Sequence, residues 1–252
     1  MTEKIPEWFR LTDEANGLIM GAVANALKDN GLPVSLRNYP EMAHWFMLDS
    51  LLFANQANRD GMHANALAIT RQCLETISII ELGLSKSVGR EEILERWWNN
   101  KITPGKIRQW LAGNVWPGYG SGLWNEPWED FMAKLSNAVQ PYAHYTGQLA
   151  QWQMALQFAD RDSRQAYVKI GPRAYDAQKA TRITLFHGIL AYALGRIVIA
   201  SSDESQPEFS ALVNRLGRAL GNSRYLDGHK TDWDQQFWAM VWDRNTGSSI
   251  LE

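Results

Sequence analysis

The sequence predicts an all-α fold, a single multi-helix bundle of about eight to ten helices with one Trp/Pro/Gly-rich loop region. Three observations carry that expectation. Strand-type alternation is nearly absent. Ala, Leu, Gln, Glu and Arg, all good helix formers, fill the long segments between turn signals. Apolar residues recur at steps of three and four, the spacing of one buried helical face. The 252 residues suffice for one domain with its own core. A bundle over about 12–200 and a C-terminal helical extension over about 207–243 are expected, with no internal repeat.

Taken in order, Thr12 or Asp13 caps a first helix that runs to about Asp29 and is stopped by Asn30-Gly31, with Pro33 beyond. A second helix starts after Pro40 and runs to the Asp60-Gly61 break. The third is the clearest, with Met62, Ala66, Ile69, Cys73, Ile77, Ile80 and Leu84 on one face. After Gly89, EEILERWWNN is a short helix. ITPGKIRQWLAG is another, with Thr103 as its cap and Pro104 in its first turn. Residues 114–128 form a loop by their proline and glycine content. From Trp128 the helical spacing continues through Leu135, Tyr142 and Leu149 to Leu156, which predicts one long helix that Pro141 kinks or splits. A further helix covers about Ala174 to Ala200. Its length raises a membrane span, but His187 and Arg196 interrupt it and no charge asymmetry flanks it. A buried central helix, and no membrane contact, is therefore expected. Two last helices cover roughly 207–220 and 231–243 after a polar linker.

Composition excludes several classes. Hydrophobic residues make up 45% and charged ones 21%, as in a folded soluble chain. Lys+Arg 25 against Asp+Glu 27 gives a net charge of −2, which speaks against a nucleic-acid coat or a polybasic membrane binder. The single cysteine, Cys73, rules out an internal disulfide and a cysteine-built zinc site, and fits a cytoplasmic protein. The N-terminal MTEKIPEWFR lacks the layout of a signal peptide. HExxH, GxxxxGK[ST] and GxGxxG are all absent, so no metal and no cofactor is expected. His229, Asp232 and Asp234 read as a helix start rather than as metal ligands.

Twelve tryptophans are present, six of them between Trp97 and Trp128. Packing between helices accounts for such clusters, and an aromatic ligand cage is the alternative. Charge is uneven along the chain. Residues 161–200 hold Arg161, Arg164, Lys169, Arg173, Lys179, Arg182 and Arg196 against Asp162 and Asp176, a local +5. That run is either a solvated face or an anion-binding patch.

Arg182 and His187, set as RxxxxH on one helix, resemble the signature of HEPN ribonuclease domains, which are all-helical. The resemblance implies a metal-independent ribonuclease acting as a homodimer, with His187 as acid/base on the ribose 2′-hydroxyl and Arg182 holding the scissile phosphate. On an ideal helix the two residues lie about 140° apart, so a core histidine beside a surface arginine is the competing reading. A second pair, Arg37 and His44, spans Pro40.

Three further blocks resemble uncharacterised bacterial helical proteins related to HEPN-like and abortive-infection folds. They are the Arg-x-x-x-Glu helix in GMHANALAITRQCLETISIIELG, the segment ERWWNNKITPGKIRQWL, and KLSNAVQPYAHY, together covering residues 61–145. The family pattern has histidine where Gln140 stands here, with His144 one turn later. The resemblance implies a cytoplasmic protein of phage defence or stress, with RNA as its partner. Arg71 and Glu75, one turn apart, form either an ion pair that sets helix register or, with Ser136 and His144, a pocket for a phosphate or nucleotide. A different class remains open: a non-catalytic scaffold that docks a protein partner or a second copy through Trp233, Phe237, Trp238, Val241 and Trp242.

Overall fold

Apolar faces at helical spacing do assemble into an all-α bundle in a computed structural model, which describes residues 5–28, 30–160, 162–163, 165–171, 173, 175–202 and 206–223. Nine α-helices form among the described residues. They are α1 (Glu7–Lys28), α2 (Val34–Arg59), α3 (His63–Leu84), α4 (Arg90–Trp98), α5 (Pro104–Asn114), α6 (Trp128–Val139), α7 (Gly147–Gln151), α8 (Ala177–Ser201) and α9 (Pro207–Gly221). One antiparallel hairpin, β1 (Met154–Asp160) and β2 (Gln165–Ile170), interrupts the helices between α7 and α8. Residues 231–243, with His229, Asp232, Asp234 and the aromatic positions Trp233 to Trp242, lie outside the described residues.

The centre of the bundle is α8, against which α1, α3 and α9 pack. By length and composition it is the one described helix that would cross a membrane. Here its apolar surface is covered by protein instead. Ile183, Ile189, Ala193 and Ile197 are fully buried, as are Ile19 and Val23 of α1, Leu74, Ile77 and Ile80 of α3, and Val213, Leu216 and Leu220 of α9. Each such side chain removed from water contributes about 1.5–3 kcal/mol, so burial along one face is what turns weak helical propensity into stable helices. α2 lies along α3.

Several boundaries differ from the sequence expectation. α1 begins at Glu7, and the Thr12 hydroxyl donates to the Trp8 carbonyl inside the helix instead of capping it. α2 begins at Val34, so buried Pro40 lies within it. The helix tolerates the proline because Gly83 of α3 leaves room for the ring: a Cβ on Gly83 would stand 2.4 Å from Pro40 Cβ. Pro141 ends α6 and sits in a 3₁₀ turn, Gln140–Tyr142, so the long helix is split. The expected continuation to Leu156 is replaced by α7 and the hairpin. Thr146 caps α7 by accepting from the Leu149 N–H. Buried Lys179 closes its other end, with Nζ donating to the carbonyls of Gln151, Trp152 and Met154. These bonds hold the chain where it leaves helix and enters β1. At α5 the cap is the expected one, with Thr103 accepting from the Lys106 N–H and Pro104 at the first position.

Several of the described tryptophans fill gaps between helices, while Trp45 and Trp98 are exposed. Trp116 and Trp128 are buried, and Trp124 Nε1 donates to the Gly221 carbonyl at 3.0 Å, tying the loop to α9. The basic run after residue 160 divides among the described residues: Arg173 is exposed, whereas the three cations of α8 are engaged in the bundle. Lys179 and Arg182 are buried, and Arg196 donates to the Tyr119 carbonyl at 2.7 Å.

Candidate functional site

The helical spacing of Arg71 and Glu75 places both on α3 at its junction with α5 and α6. Arg71 is buried, and its Nη2 meets Glu75 Oε1 at 2.9 Å and Gln140 Oε1 at 3.1 Å. Gln140 thus stands over this arginine. Arg108 of α5 joins the group: burial lowers its pKa, the Arg71 charge lowers it further, and Glu75 opposes both. Two guanidiniums therefore lie within the electrostatic reach of one carboxylate, and Arg71 is the one bonded to it. Among the described residues, Arg71 Nε and Arg108 Nη1 are buried donors that find no acceptor. Buried N–H groups are nearly always paired, so both call for an acceptor.

Arg108 also lines a cavity of about 490 Å³ between α5 and α6. Gln109, Ser136 and Asn137 add neutral polar groups to the wall, Glu129 a carboxylate, and Trp116, Met132 and Ala112 the apolar part. Ser136 is one turn before Gln140, which sets the cavity beside the Arg71 pair. His144 is exposed and does not line the cavity, so the cluster holds arginines, amides and a hydroxyl with no imidazole. That chemistry suits recognition of an anion: guanidinium forks match phosphate oxygens in pairs.

Arg182 and His187 do not share a face. Arg182 is buried. His187 borders a separate groove of about 550 Å³ between α1, α2 and α8. The Thr70 hydroxyl gives its hydrogen to the Ala66 carbonyl at 2.8 Å, so His187 Nε2–H is the donor in its own 2.8 Å bond to Thr70 Oγ1. Dense surroundings push the ring down to about 4, leaving a neutral imidazole at pH 7. His63 is held at both ring nitrogens. His63 Nε2 accepts from the Asp176 N–H at 3.0 Å, Nδ1–H donates to Asn58 Oδ1 at 2.9 Å, and Asn58 Nδ2 donates to the Ala180 carbonyl. Burial, with Lys179 adding to it and Asp176 opposing, lowers His63 to about 4. His44, also buried, is lowered by desolvation against the charge of Glu41. Among the described residues no three His, Cys, Asp or Glu side chains come together.

The sequence reading passed over Arg108 and Glu81, and gave Gln140 no role beyond marking a departure from the resembling pattern. Arg108 stands in the quoted KIRQWL block, but only the packing of α5 on α3 brings it to Arg71. Glu81 is a lone acid in the apolar run ISIIELGL, which was its signal. It is fully buried, accepts from Trp116 Nε1 at 2.9 Å, and is raised to about 8 by desolvation, against the Tyr119 and Trp116 contacts. No family model matches the chain, and no curated protein or solved structure is significantly similar to it.

Proposed function

We propose that this chain is an RNA-binding helical protein that holds a backbone phosphate at the Arg71–Arg108 cluster without cutting the strand. The observation that carries the reading is the pair of buried donors, Arg71 Nε and Arg108 Nη1, that find no acceptor beside a cavity where Glu75 is bonded to Arg71 alone. An incoming phosphate would take the donors left over by Glu75 and Gln140 and balance the excess positive charge. Ser136 and Asn137 offer further hydrogen bonds, and Trp116 supplies ring surface on the same wall.

Binding is favoured over cleavage for a reason of ionisation. A general acid needs its proton near neutral pH, and His187, at about 4, has lost it. Its Nε2 is engaged by Thr70, and Arg182 lies about 140° round the helix at 100° per residue.

Isothermal titration at low salt, with a single-stranded RNA 12-mer and with inorganic phosphate, tests the proposal. RNA should bind and be recovered intact. Arg108→Gln should weaken binding about tenfold, the loss of one charge-assisted contact, and flatten its salt dependence. Phosphate alone should bind more weakly at the same residue. No RNA binding by the wild type, or binding indifferent to Arg108→Gln, would reject it. Metal-independent cleavage lost in His187→Ala would instead reinstate the acid–base reading.

A further inference from the structure

The outer face of α2 is as apolar as its core face. Leu36, Ala43, Met47, Ala54 and Ala57 point into the bundle and are buried. On the opposite side Met42, Trp45, Phe46, Leu52 and Phe53 face solvent, with Trp45 61%, Leu52 69% and Phe53 68% exposed. Their spacing from 42 to 53 is three, one, six and one, so they occupy one stripe on a helix of 3.6 residues per turn. The stripe adjoins the groove between α1 and α2 at Leu52, which lines it together with Phe9, Met20, Leu48 and Leu51. A helix apolar all round is normally covered on both sides, and an exposed apolar patch of this kind marks a contact site.

Charge identifies the occupant. Within the stripe between Asn38 and Gln56 the one ionised side chain is Asp49, at its centre. Glu41 stands at the border, and Asp13 and Arg59 offset each other in the groove, which leaves the stripe itself acidic. A second copy would set Asp49 and Glu41 against the same acids. The chain's own residues 231–243 bring Asp232, Asp234 and Asp243, and their neighbours Lys230 and Arg244 lie beyond the aromatic positions rather than among them. The first would set like charges together and the second would bring no cation amid its apolar residues to meet Asp49. We propose that this face receives an amphipathic helix of another protein, apolar along one side and carrying a Lys or Arg amid those residues to meet Asp49, in the helix-in-groove mode.

The test uses the full chain and two synthetic helical peptides of 21 residues, identical in their Leu and Trp face but with Lys in one and Glu in the other at the central flanking positions. Fluorescence anisotropy of the labelled peptides should show the Lys peptide binding at least about tenfold more tightly, a difference of about 1.4 kcal/mol. Asp49→Lys should reverse that preference. Trp45→Ala should abolish binding of both peptides while leaving the thermal transition unchanged, since Trp45 makes little core contact. Equal binding of both peptides, or of neither, would overturn the proposal. So would sedimentation showing the chain alone as a dimer that Trp45→Glu dissociates, because the face would then belong to a second copy.

Discussion

At the scale of single residues the polar interior separates groups that hold the fold from groups left with capacity to bind. Arg71 belongs to both. Its Nη2 is taken by Glu75 and Gln140, an arrangement that compensates the desolvation of a buried guanidinium, while Nε remains unmet. Removing it leaves Glu75, which is 39% exposed and can turn to water, so the loss falls short of that for a sealed pair. Arg71→Ala should therefore cost about 2 kcal/mol, read as a lower urea midpoint at constant slope. Arg108→Gln should cost well under 1 kcal/mol, since its Nη1 gives up no bond in the folded chain. If the two variants lose equal stability, Arg108 is a structural partner and not a reserve of binding energy. How far these residues were readable follows from the same geometry. Ser136 was drawn in through the KLSNAVQPYAHY block, whereas Arg71 and Glu75 could be picked out because helical spacing alone relates neighbours on one element. Arg108 and Gln140 could not, because their meeting with Arg71 depends on how three helices cross. His187 resisted interpretation for a further reason: whether an imidazole is ionised depends on what surrounds it, and a helix-period pattern does not show that.

Elements whose limits are set by their own residues were readable, and those set by a neighbour were not. α3 has a continuous apolar face and α5 has both Thr103 and Pro104, so each falls where local chemistry puts it. The start of α2 was placed after Pro40, since proline breaks an isolated helix. The ring is accepted because Gly83, 43 residues on in the chain, offers no side chain at the crossing of α2 and α3. The hairpin was hidden because Leu149, Trp152 and Leu156 extend the helical spacing of α6, while the Lys179 side chain that ends α7 comes from α8. The α2–α3 crossing gives a sharp test. In Gly83→Ala the added methyl would sit 2.4 Å from Pro40 Cβ and 2.5 Å from Cγ, far inside contact distance, with rigid ring atoms that cannot rotate away. The helices must separate, at a cost of about 3 kcal/mol, although alanine is the better helix former by about 1 kcal/mol. A thermal midpoint lowered by several degrees is expected. A stabilised Gly83→Ala would mean that helical propensity outweighs the crossing and that Pro40 is not seated against α3.

For the molecule as a whole, the buried titratable groups predict the shape of the stability curve against pH. His63 and His187 both fall from 6.5 to about 4 on folding, so between pH 4 and 6.5 the unfolded chain binds the extra protons and stability rises with pH. Glu81 goes the other way. Its carboxyl is raised from 4.5 to about 8, so from pH 4.5 to 8 the folded chain holds a proton the unfolded chain has released, and stability falls as pH rises. Below 6.5 the two histidines outweigh the single acid. Above 6.5 they are neutral in both states and the acid acts alone. Stability should therefore climb from pH 4.5, peak between about 6 and 7, and decline towards pH 8, where ionised Glu81 must stay in the core among Trp116 and its neighbours. Urea midpoints measured across pH 4.5 to 9 would trace that dome. In Glu81→Gln the amide can still accept from Trp116 Nε1 and cannot ionise, so the decline above pH 6.5, roughly 2 kcal/mol by pH 8, should vanish in the variant. A wild-type curve that keeps rising through pH 8 would show that Glu81 ionises in place at little cost. In that case its carboxylate is compensated by the Tyr119 and Trp116 donors, and the acid helps to hold the tryptophan-rich loop rather than straining it.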